Sequence, residues 1–278
     1  MICPICNSDK FKKIFFMREV SRITKKGYPL FKCEKCSLIR PNPLPYTDTS
    51  KLSIYDSDDN IRFYDAGEKR ILFNSKEYKD YFKHFRQFED FVKKYSITGR
   101  HLDVGCGAGH LVFLLKKQGF KSEGLEISKK IASSLKSRFK VHTTELKKIK
   151  GKYNLITLSQ VLEHVEEFPE FVTEINKHLL PKGFVILSVP YLYGLIPQVL
   201  RTWWYGLGHG QHLTFFSKEN LKTLFEKKGF TVIEFKLAVL DYTYKKFPKF
   251  VNTLILFFSR VINALNLGDN LYMVAIKK

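Results

Sequence analysis

The sequence predicts an α/β fold built on a mostly parallel sheet, and three observations carry that expectation. The short apolar run Leu102-Asp103-Val104 passes into Gly105-Cys106-Gly107-Ala108-Gly109 and then into the helical pattern from Leu111 to Lys117. The next strand-like segment, Ser122 to Ile127, has an acid, Glu126, near its end. From there, strand and helix patterns alternate as far as Pro190, the order that produces parallel strands joined by crossover helices. A chain of 278 residues with 44% hydrophobic content can bury a core of that size in one domain with additions.

Each element has its own reason. Residues 99–104 read as a buried strand, and Gly119 ends the helix that follows the glycine loop. Glycines in such a turn take tight conformations and let a ligand come close where a Cβ would collide. The spacing is G-x-G-x-G and then His110, not the G-x-G-x-x-G of dinucleotide sites, and no G-x-x-x-x-G-K-[ST] phosphate loop occurs. A carboxylate such as Glu126 accepts two hydrogen bonds at once, which suits the paired hydroxyls of a ribose. Tyr153 to Ser159 is a strand. Phe171 to Leu180 is an amphipathic helix expected to stop at Pro181 and Gly183, with a strand from Phe184 to Pro190. Leu221 to Lys228 forms a helix, Gly229-Phe230 opens another strand, and Leu271 to Ile276 forms the last one.

Asp103 to Gly109 with Glu126 resembles motif I of the class I S-adenosylmethionine-dependent methyltransferases, the ubiquinone-methyltransferase-like group. Tyr153-Asn154-Leu155-Ile156 through Val161-Leu162-Glu163-His164-Val165 resembles the family's D-x-I-x-x-x-x-V-L-E-H-V stretch, with Asn154 where an acid is usual. Leu180-Pro181-Lys182-Gly183 matches its L-x-P-G-G turn, with Lys182 replacing the first glycine. The resemblance implies a Rossmann-like three-layer sandwich with a seven-stranded mostly parallel sheet whose last strand is antiparallel. It also implies that S-adenosylmethionine is held by Asp103, Gly105, Cys106, Gly107, Gly109, Glu126, Ile127, Glu145, Ser159 and Gln160. Cys106 reads as a small packing residue there and not as a nucleophile.

The segment Tyr191 to His212 is an aromatic insertion after the fifth strand. Ligands in this fold bind at the carboxyl ends of strands, so Tyr191, Arg201, Trp203, Trp204 and Tyr205 are expected around the methyl acceptor. The run Gly208-His209-Gly210-Gln211-His212-Leu213-Thr214-Phe215-Phe216-Ser217 is similar to a family pattern with a histidine before H-L-x-x-F-S. A histidine titrates near neutral pH and can take a proton from a hydroxyl acceptor, which ranks His212, His164 and then His209 as candidate bases. Ubiquinone-pathway relatives have another Glu three residues before the Glu-His pair, an arrangement associated with metal assistance. This chain has Gln160 there, so no magnesium site is expected.

Cys3-Pro4-Ile5-Cys6 and Cys33-Glu34-Lys35-Cys36 are two C-x-x-C pairs, the spacing of a structural zinc site that takes four thiolates. Residues 1–46 are therefore expected to form a small zinc ribbon, with hairpin strands near Phe11–Phe16 and Tyr28–Lys32. Residues 47–96 then form a linker and helical cap with aromatics at Tyr78, Phe82, Phe85 and Phe88. Residues 97–278 form the methyltransferase domain, with insertions at 191–212 and 243–268.

The formal net charge is +20, spread as +7, 0, +6 and +7 over residues 1–46, 47–96, 97–190 and 191–278. No single basic stripe marks a nucleic-acid face. The loop after the fourth strand, Ser159-Gln160-Val161-Leu162, also lacks the N/D-P-P-Y pattern of enzymes that methylate base amines. No secretion leader opens the sequence, and the apolar stretch 250–262 is short of the roughly 20 residues that span a bilayer. The expected compartment is the cytoplasm, with that stretch and its nearby lysines a candidate peripheral contact to the inner face of the membrane. The expected activity is methylation, at O or C, of a small metabolite or a glycan or lipid-linked intermediate. An RNA methyltransferase that uses the zinc module for grip, or a non-catalytic zinc-bearing binding protein, is the alternative.

Overall fold

The computed structural model describes residues 1–17, 28–44, 85–135, 138–201, 204, 206–207, 212–239 and 249–278. The expected cap residues Tyr78 and Phe82, and the site candidates Trp203, Tyr205 and His209, lie outside the described residues.

The described residues form two sheets. Strands β1 (Phe11–Met17), β2 (Tyr28–Cys33) and β3 (Ile39–Pro41) make a small antiparallel sheet at the N-terminus. The main sheet contains β4 (Arg100–Val104), β5 (Lys121–Leu125), β6 (Val141–His142), β7 (Tyr153–Ser159), β8 (Leu179–Pro190), β9 (Phe230–Ala238) and β10 (Asn270–Lys277). Its order is β6-β5-β4-β7-β8-β10-β9. The pairs β4–β5, β4–β7, β5–β6 and β7–β8 are parallel, whereas β10 runs antiparallel to both β8 and β9. The chain therefore has the seven-stranded Rossmann-like sheet with an antiparallel last strand.

Helices α1 (Arg86–Lys94), α2 (His110–Lys117), α3 (Lys129–Leu135), α4 (Phe168–His178), α5 (Leu195–Leu200), α6 (Lys218–Lys227) and α7 (Lys249–Ala264) accompany the strands. On one face, Phe88, Phe91 and Val92 of α1 pack with Leu111 and Leu115 of α2 against Leu155, Ile186, Tyr272 and Val274. On the other, Val172 and Ile175 of α4 and Leu221, Leu224 and Phe225 of α6 pack against Ile156, Leu158, Leu187 and Met273. Alternate residues of each strand thus enter opposite layers, as a sheet covered on both faces requires.

The turn after α4 differs from its sequence reading. The helix starts earlier, at Phe168, and ends at His178; Leu179 already pairs with Tyr153, so Pro181-Lys182-Gly183 lies within β8. Lys182 takes φ 60°, and the register shift between Tyr153 and Leu155 absorbs the irregularity. α6 starts three residues earlier than its sequence reading and is capped at that point: the Ser217 hydroxyl accepts from the Asn220 N–H, and the Asn220 side chain accepts from the Ser217 N–H. On α7, Phe257 and Phe258 stand 59% and 57% exposed. Among the described residues, no helix is long and apolar enough to cross a membrane.

The small sheet is docked onto the large domain. Ile39 and Phe215 exchange backbone hydrogen bonds of 3.2 and 2.9 Å. Arg40 donates to the carbonyls of Leu213 and Glu166 and lies over the Phe168 ring. Tyr193 donates to the Ser37 carbonyl, Asn220 to that of Cys36 and Lys227 to that of Ile5.

Candidate active site

The glycine loop follows β4 at the carboxyl edge of the sheet. Gly105, Gly107 and Gly109 take φ of 69°, 49° and 74°, a region that side chains rarely adopt, and a Cβ on Gly105 would come within 2.6 Å of Val161. The Gly105 and Cys106 N–H groups both donate to the Leu125 carbonyl, which ties the loop to the end of β5. Glu126 stands one residue beyond that strand. Its carboxylate accepts from the Gly107 N–H at 3.0 Å and the Ser128 N–H at 2.9 Å, so it is oriented before any ligand arrives. Cys106 packs against Gly124, and burial pushes its thiol well up, which suits packing and not nucleophilic chemistry.

Asp103 is 3% exposed. Burial pushes its carboxyl up to about 7, against a 2.6 Å hydrogen bond donated by Thr157 and with added repulsion from Glu126. Thr157 has one proton, and its hydroxyl also lies 2.8 Å from His101 Nε2. Burial holds His101 down to about 3, hence neutral. Its Nε2 therefore donates to Thr157, and its Nδ1 accepts from the Ser122 hydroxyl at 3.0 Å. Ser122, His101 and Thr157, from three adjacent strands, form one directed chain that ends on Asp103. Sequence reasoning missed His101 and Thr157; both lie on buried strands, where nothing local distinguishes a polar relay from a packing position.

A cleft of about 670 Å³ opens beside this loop. Among its lining residues are Gly105, Glu126, Ile127, Glu145, Ser159, Gln160 and His164, which brings together seven of the residues expected to serve ligand binding or catalysis. Ile127 is 43% exposed there, an apolar surface next to the carboxylate of Glu126. Glu145 pairs with Lys147 and Lys148 at the rim. Gln160 takes φ 57°, and its amide donates to Ser188 and Asn270, so it is committed to the sheet floor. The wall opposite is acidic: Glu166, Glu167, Glu170 and Glu174, near and along α4, join Glu126 and Glu145. The i, i+4 spacing of Glu166, Glu170 and Glu174 was visible in the sequence, but which way that helix face points was not.

At the far end of β7 the one-turn helix Leu162–His164 carries Glu163, fully buried, and His164. The Glu163 carbonyl accepts from the Leu213 and Thr214 N–H groups, which places His212 alongside. The rings of His164 and His212 stand 4.7 Å apart. His212 Nδ1 donates to the Gly206 carbonyl at 2.8 Å, which in the neutral ring makes Nε2 the basic nitrogen. Burial pushes the Glu163 carboxyl up to about 8, only partly offset by its own backbone N–H.

The acceptor candidates are placed differently. Trp204 is 4% exposed, donates to Asp269 and packs with Leu30, Ile39, Leu192, Leu207 and Phe215. Tyr191 is buried beside Tyr193, and Arg201 sits at the end of α5 with φ 48°. None of the three is among the residues that line the cleft.

The four N-terminal cysteines converge, with Cys3 Sγ 3.4 Å from Cys36 Sγ and Cys6 Sγ 3.5 Å from Cys33 Sγ, all four within 4.8 Å and none in a disulfide. Zn–S bonds of about 2.3 Å in a tetrahedron place sulfurs about 3.8 Å apart. The cluster therefore fits such an ion once the two closest pairs open by a few tenths of an ångström and the wider ones close by at most about 1 Å. The Cys36 thiol shared with Cys3 lowers the latter to about 5, so one member already favours the thiolate.

A glycine loop after the first main-sheet strand, an acid after the second and a cleft at the carboxyl edge of a seven-stranded sheet with an antiparallel last strand define a class I S-adenosylmethionine-dependent methyltransferase. The family model described as a methyltransferase domain matches residues 69–235, more than half of the chain. The chain belongs to that family. It is 26% identical over 155 residues to the ubiquinone biosynthesis O-methyltransferase of Rickettsia bellii (strain OSU 85-389), covering 50% of this chain and 65% of that protein. With the Pelagibacter ubique enzyme of the same name it shares 31% identity over 96 residues, 31% of this chain and 40% of the relative. The chain thus spans at most about two thirds of these relatives' length. Among solved structures, the magnesium protoporphyrin IX methyltransferase of Synechocystis with bound SAH covers 84% of this chain and 100% of its own, with TM-score 0.57 and 17% identity. The Burkholderia thailandensis 1,6-didemethyltoxoflavin-N1-methyltransferase covers 92% and 97%, with TM-score 0.54 and 14% identity. At these identities the likeness is one of fold.

Proposed function

We propose that the protein transfers the methyl group of S-adenosylmethionine to a hydroxyl of a small, uncharged or cationic metabolite. The observation that carries the acceptor class is the cleft's charge: six glutamates line it, with Lys147 the lysine among them, in a protein of net charge +20. A phosphate backbone would be repelled from that cleft whatever the outer surface attracts, which weighs against RNA as acceptor. The names of the curated relatives favour methylation at oxygen over methylation at carbon.

In this reading Glu126 takes the ribose hydroxyls, Ile127 lies under the adenine, and Asp103, held by Thr157, faces the ammonium of the methionine part. S-adenosylmethionine, when bound, supplies an electrophilic methyl group on a cationic sulfur. The acceptor hydroxyl must lose its proton as that methyl arrives, and Glu163, His164 and His212 form the group that removes it, His212 first. The cysteine cluster holds a structural zinc ion, which leaves no position for chemistry. Its docking contacts to residues 213 and 215 make the N-terminal module a brace for the His212 segment. The exposed Phe257 and Phe258 are the surface on which peripheral membrane contact would rest.

Methyl-labelled S-adenosylmethionine incubated with the protein and fractionated cell extract tests the proposal. Label is expected in the neutral or cationic small-molecule fraction and absent with Glu126→Ala, while label in the RNA fraction would overturn it.

A further inference from the structure

We infer that Ser122, His101 and Thr157 form a reversible proton relay to Asp103, in which His101 exchanges one neutral tautomer for the other as Asp103 gains or loses its proton. His101 is then a positioning residue for the cofactor, acting through Thr157 and Asp103. Ser122 pairs with His101 across β5 and β4, and Thr157 pairs with Asp103 across β7 and β4. His101 and Asp103 stand two residues apart on one strand and so share a face of the sheet. The links are 3.0 Å from Ser122 Oγ to His101 Nδ1, 2.8 Å from His101 Nε2 to Thr157 Oγ1 and 2.6 Å from Thr157 Oγ1 to Asp103 Oδ1. Each length suits a hydrogen bond whichever partner supplies the proton.

Every member of the chain can give and accept. A hydroxyl has one proton and two lone pairs, a neutral imidazole has one N–H and one bare nitrogen, and a carboxyl donates once protonated. With Asp103 ionised, Ser122 donates to Nδ1, Nε2–H donates to Thr157, and Thr157 donates to Oδ1. With Asp103 protonated, Oδ1–H donates to Thr157, Thr157 donates to Nε2, and Nδ1–H donates to Ser122. All three bonds survive the reversal. Ser122 is half-buried, whereas His101 and Asp103 are buried, so the proton enters at the serine. As Ser122 Oγ takes a proton from hydronium, its own passes to Nδ1, the Nε2 proton passes to Thr157 Oγ1, and the Thr157 proton passes to Oδ1. One proton enters and one carboxylate charge is lost, while His101 is neutral before and after.

The surroundings suit such a relay. Burial holds the His101 ring down to about 3, so it takes no second proton while the Asp103 carboxyl, raised to about 7 chiefly by burial, titrates. The Phe120 ring stands edge-on to the imidazole at 6.1 Å. Toward Asp103 face the Glu126 carboxylate from beyond β5, which adds to the rise, and the Cys106 thiol from the glycine loop. Over this layer α1 brings Phe88 and Phe91, and α2 brings Leu111 and Leu115, with His110 buried at its start and stacked on Phe85. A buried polar group left unmet is costly, and the imidazole keeps both charge states of Asp103 fully bonded. Cofactor binding then selects a direction. An ammonium requires ionised Asp103, so binding below about pH 7 expels a proton and fixes the Nε2–H tautomer. This deepens the cofactor reading and rests on it for the contact between Asp103 and the methionine ammonium.

Nitrogen-15 NMR of the full chain labelled at histidine, with His101 assigned by through-bond correlation, reads the tautomer directly. As pH rises through about 7 the ring proton should move from Nδ1 to Nε2, in step with the carbon-13 carboxyl signal of Asp103. In Asp103→Asn the ring should hold the Nε2–H tautomer at every pH. In Thr157→Val, which conserves shape, Asp103 should still titrate while the tautomer no longer follows it, a separation that a purely structural His101 would not produce. At about pH 6, S-adenosylmethionine should convert the wild-type ring to Nε2–H and release nearly one proton, measured by calorimetry in two buffers of different ionisation heat. A tautomer that stays fixed while Asp103 titrates, a ring that becomes doubly protonated over the same range, or a tautomer that still follows pH in Asp103→Asn overturns the relay. A tautomer that follows pH and ignores saturating S-adenosylmethionine upholds the relay and refutes the ammonium contact assigned to Asp103.

Discussion

Replacing Asp103 with Asn should flatten the dependence of stability on pH while sharply weakening cofactor binding. The substitution conserves volume, and the amide oxygen can still accept the Thr157 hydroxyl that reaches Oδ1 at 2.6 Å. What it removes is a charge that burial makes expensive. The carboxyl is raised from its ordinary 3.8 to about 7, so across that interval the unfolded chain has lost a proton that the folded one keeps. Stability from this group is complete below about pH 3.8 and is lost as pH rises to about 7. Each tenfold difference in proton affinity is worth ~1.4 kcal/mol, which makes the whole loss about 4 kcal/mol. Urea unfolding at half-unit steps from pH 5 to 8 measures it. The stability of Asp103→Asn relative to the native protein should climb by ~1.4 kcal/mol per pH unit up to about pH 7 and then level off. Glu163, raised from 4.5 to about 8, contributes a second fall of the same sign to both proteins and cancels in the comparison. Calorimetry on the same samples should show S-adenosylmethionine affinity reduced about 100-fold or more by the variant, the loss of one charge-assisted contact. A stability difference that stays constant from pH 5 to 8 would refute the reasoning, because it would mean Asp103 is solvated in the folded protein.

Thr157→Val should leave the fold intact yet weaken S-adenosylmethionine binding about 10-fold, since a hydrogen bond to a charged group contributes about 1.5–3 kcal/mol. The pH at which binding sets in should also move upward, because the Thr157 donor that lowers the Asp103 carboxyl is gone; an unchanged binding profile by titration calorimetry would remove Thr157 from the site. Arg40→Ala cuts the bonds to the Leu213 and Glu166 carbonyls, which connect the small sheet to the segments carrying His212 and His164. It should lower turnover severalfold while S-adenosylmethionine affinity stays within about twofold, the pattern of lost acceptor-side order and not of lost binding.

The strand–glycine-loop–helix unit was legible in the sequence because its signals are local. Glycines at 105, 107 and 109 answer a backbone need that no other residue meets cheaply, and Glu126 falls one residue past a strand whose apolar pattern is short and clear. The paired cysteines were legible for the same reason, since each C-x-x-C turn presents two thiols by itself. Pro181 and Gly183 were misread as the end of a helix when they lie inside a strand, because pairing with β7 outweighs the local turn preference of those residues. Trp204, expected around the acceptor, shows what sequence leaves open. An aromatic side chain is equally suited to a pocket wall and to a core, and contact with Asp269 and the small sheet placed it in the core.

Alternating patterns, glycine spacing and cysteine pairs thus determined the fold class, the cofactor loop and the thiol cluster, all features whose physics acts within a few residues. Tertiary structure decided what depends on distant segments meeting. It joined Ser122, His101 and Thr157 across three strands onto Asp103, and it turned the acidic face of α4 into the cleft. It also carried His212 over 49 positions of sequence to Glu163 through two backbone hydrogen bonds to a single carbonyl. The charge of a buried carboxylate, and whatever completes it, is set by the neighbours that folding brings, and those neighbours are far away along the chain.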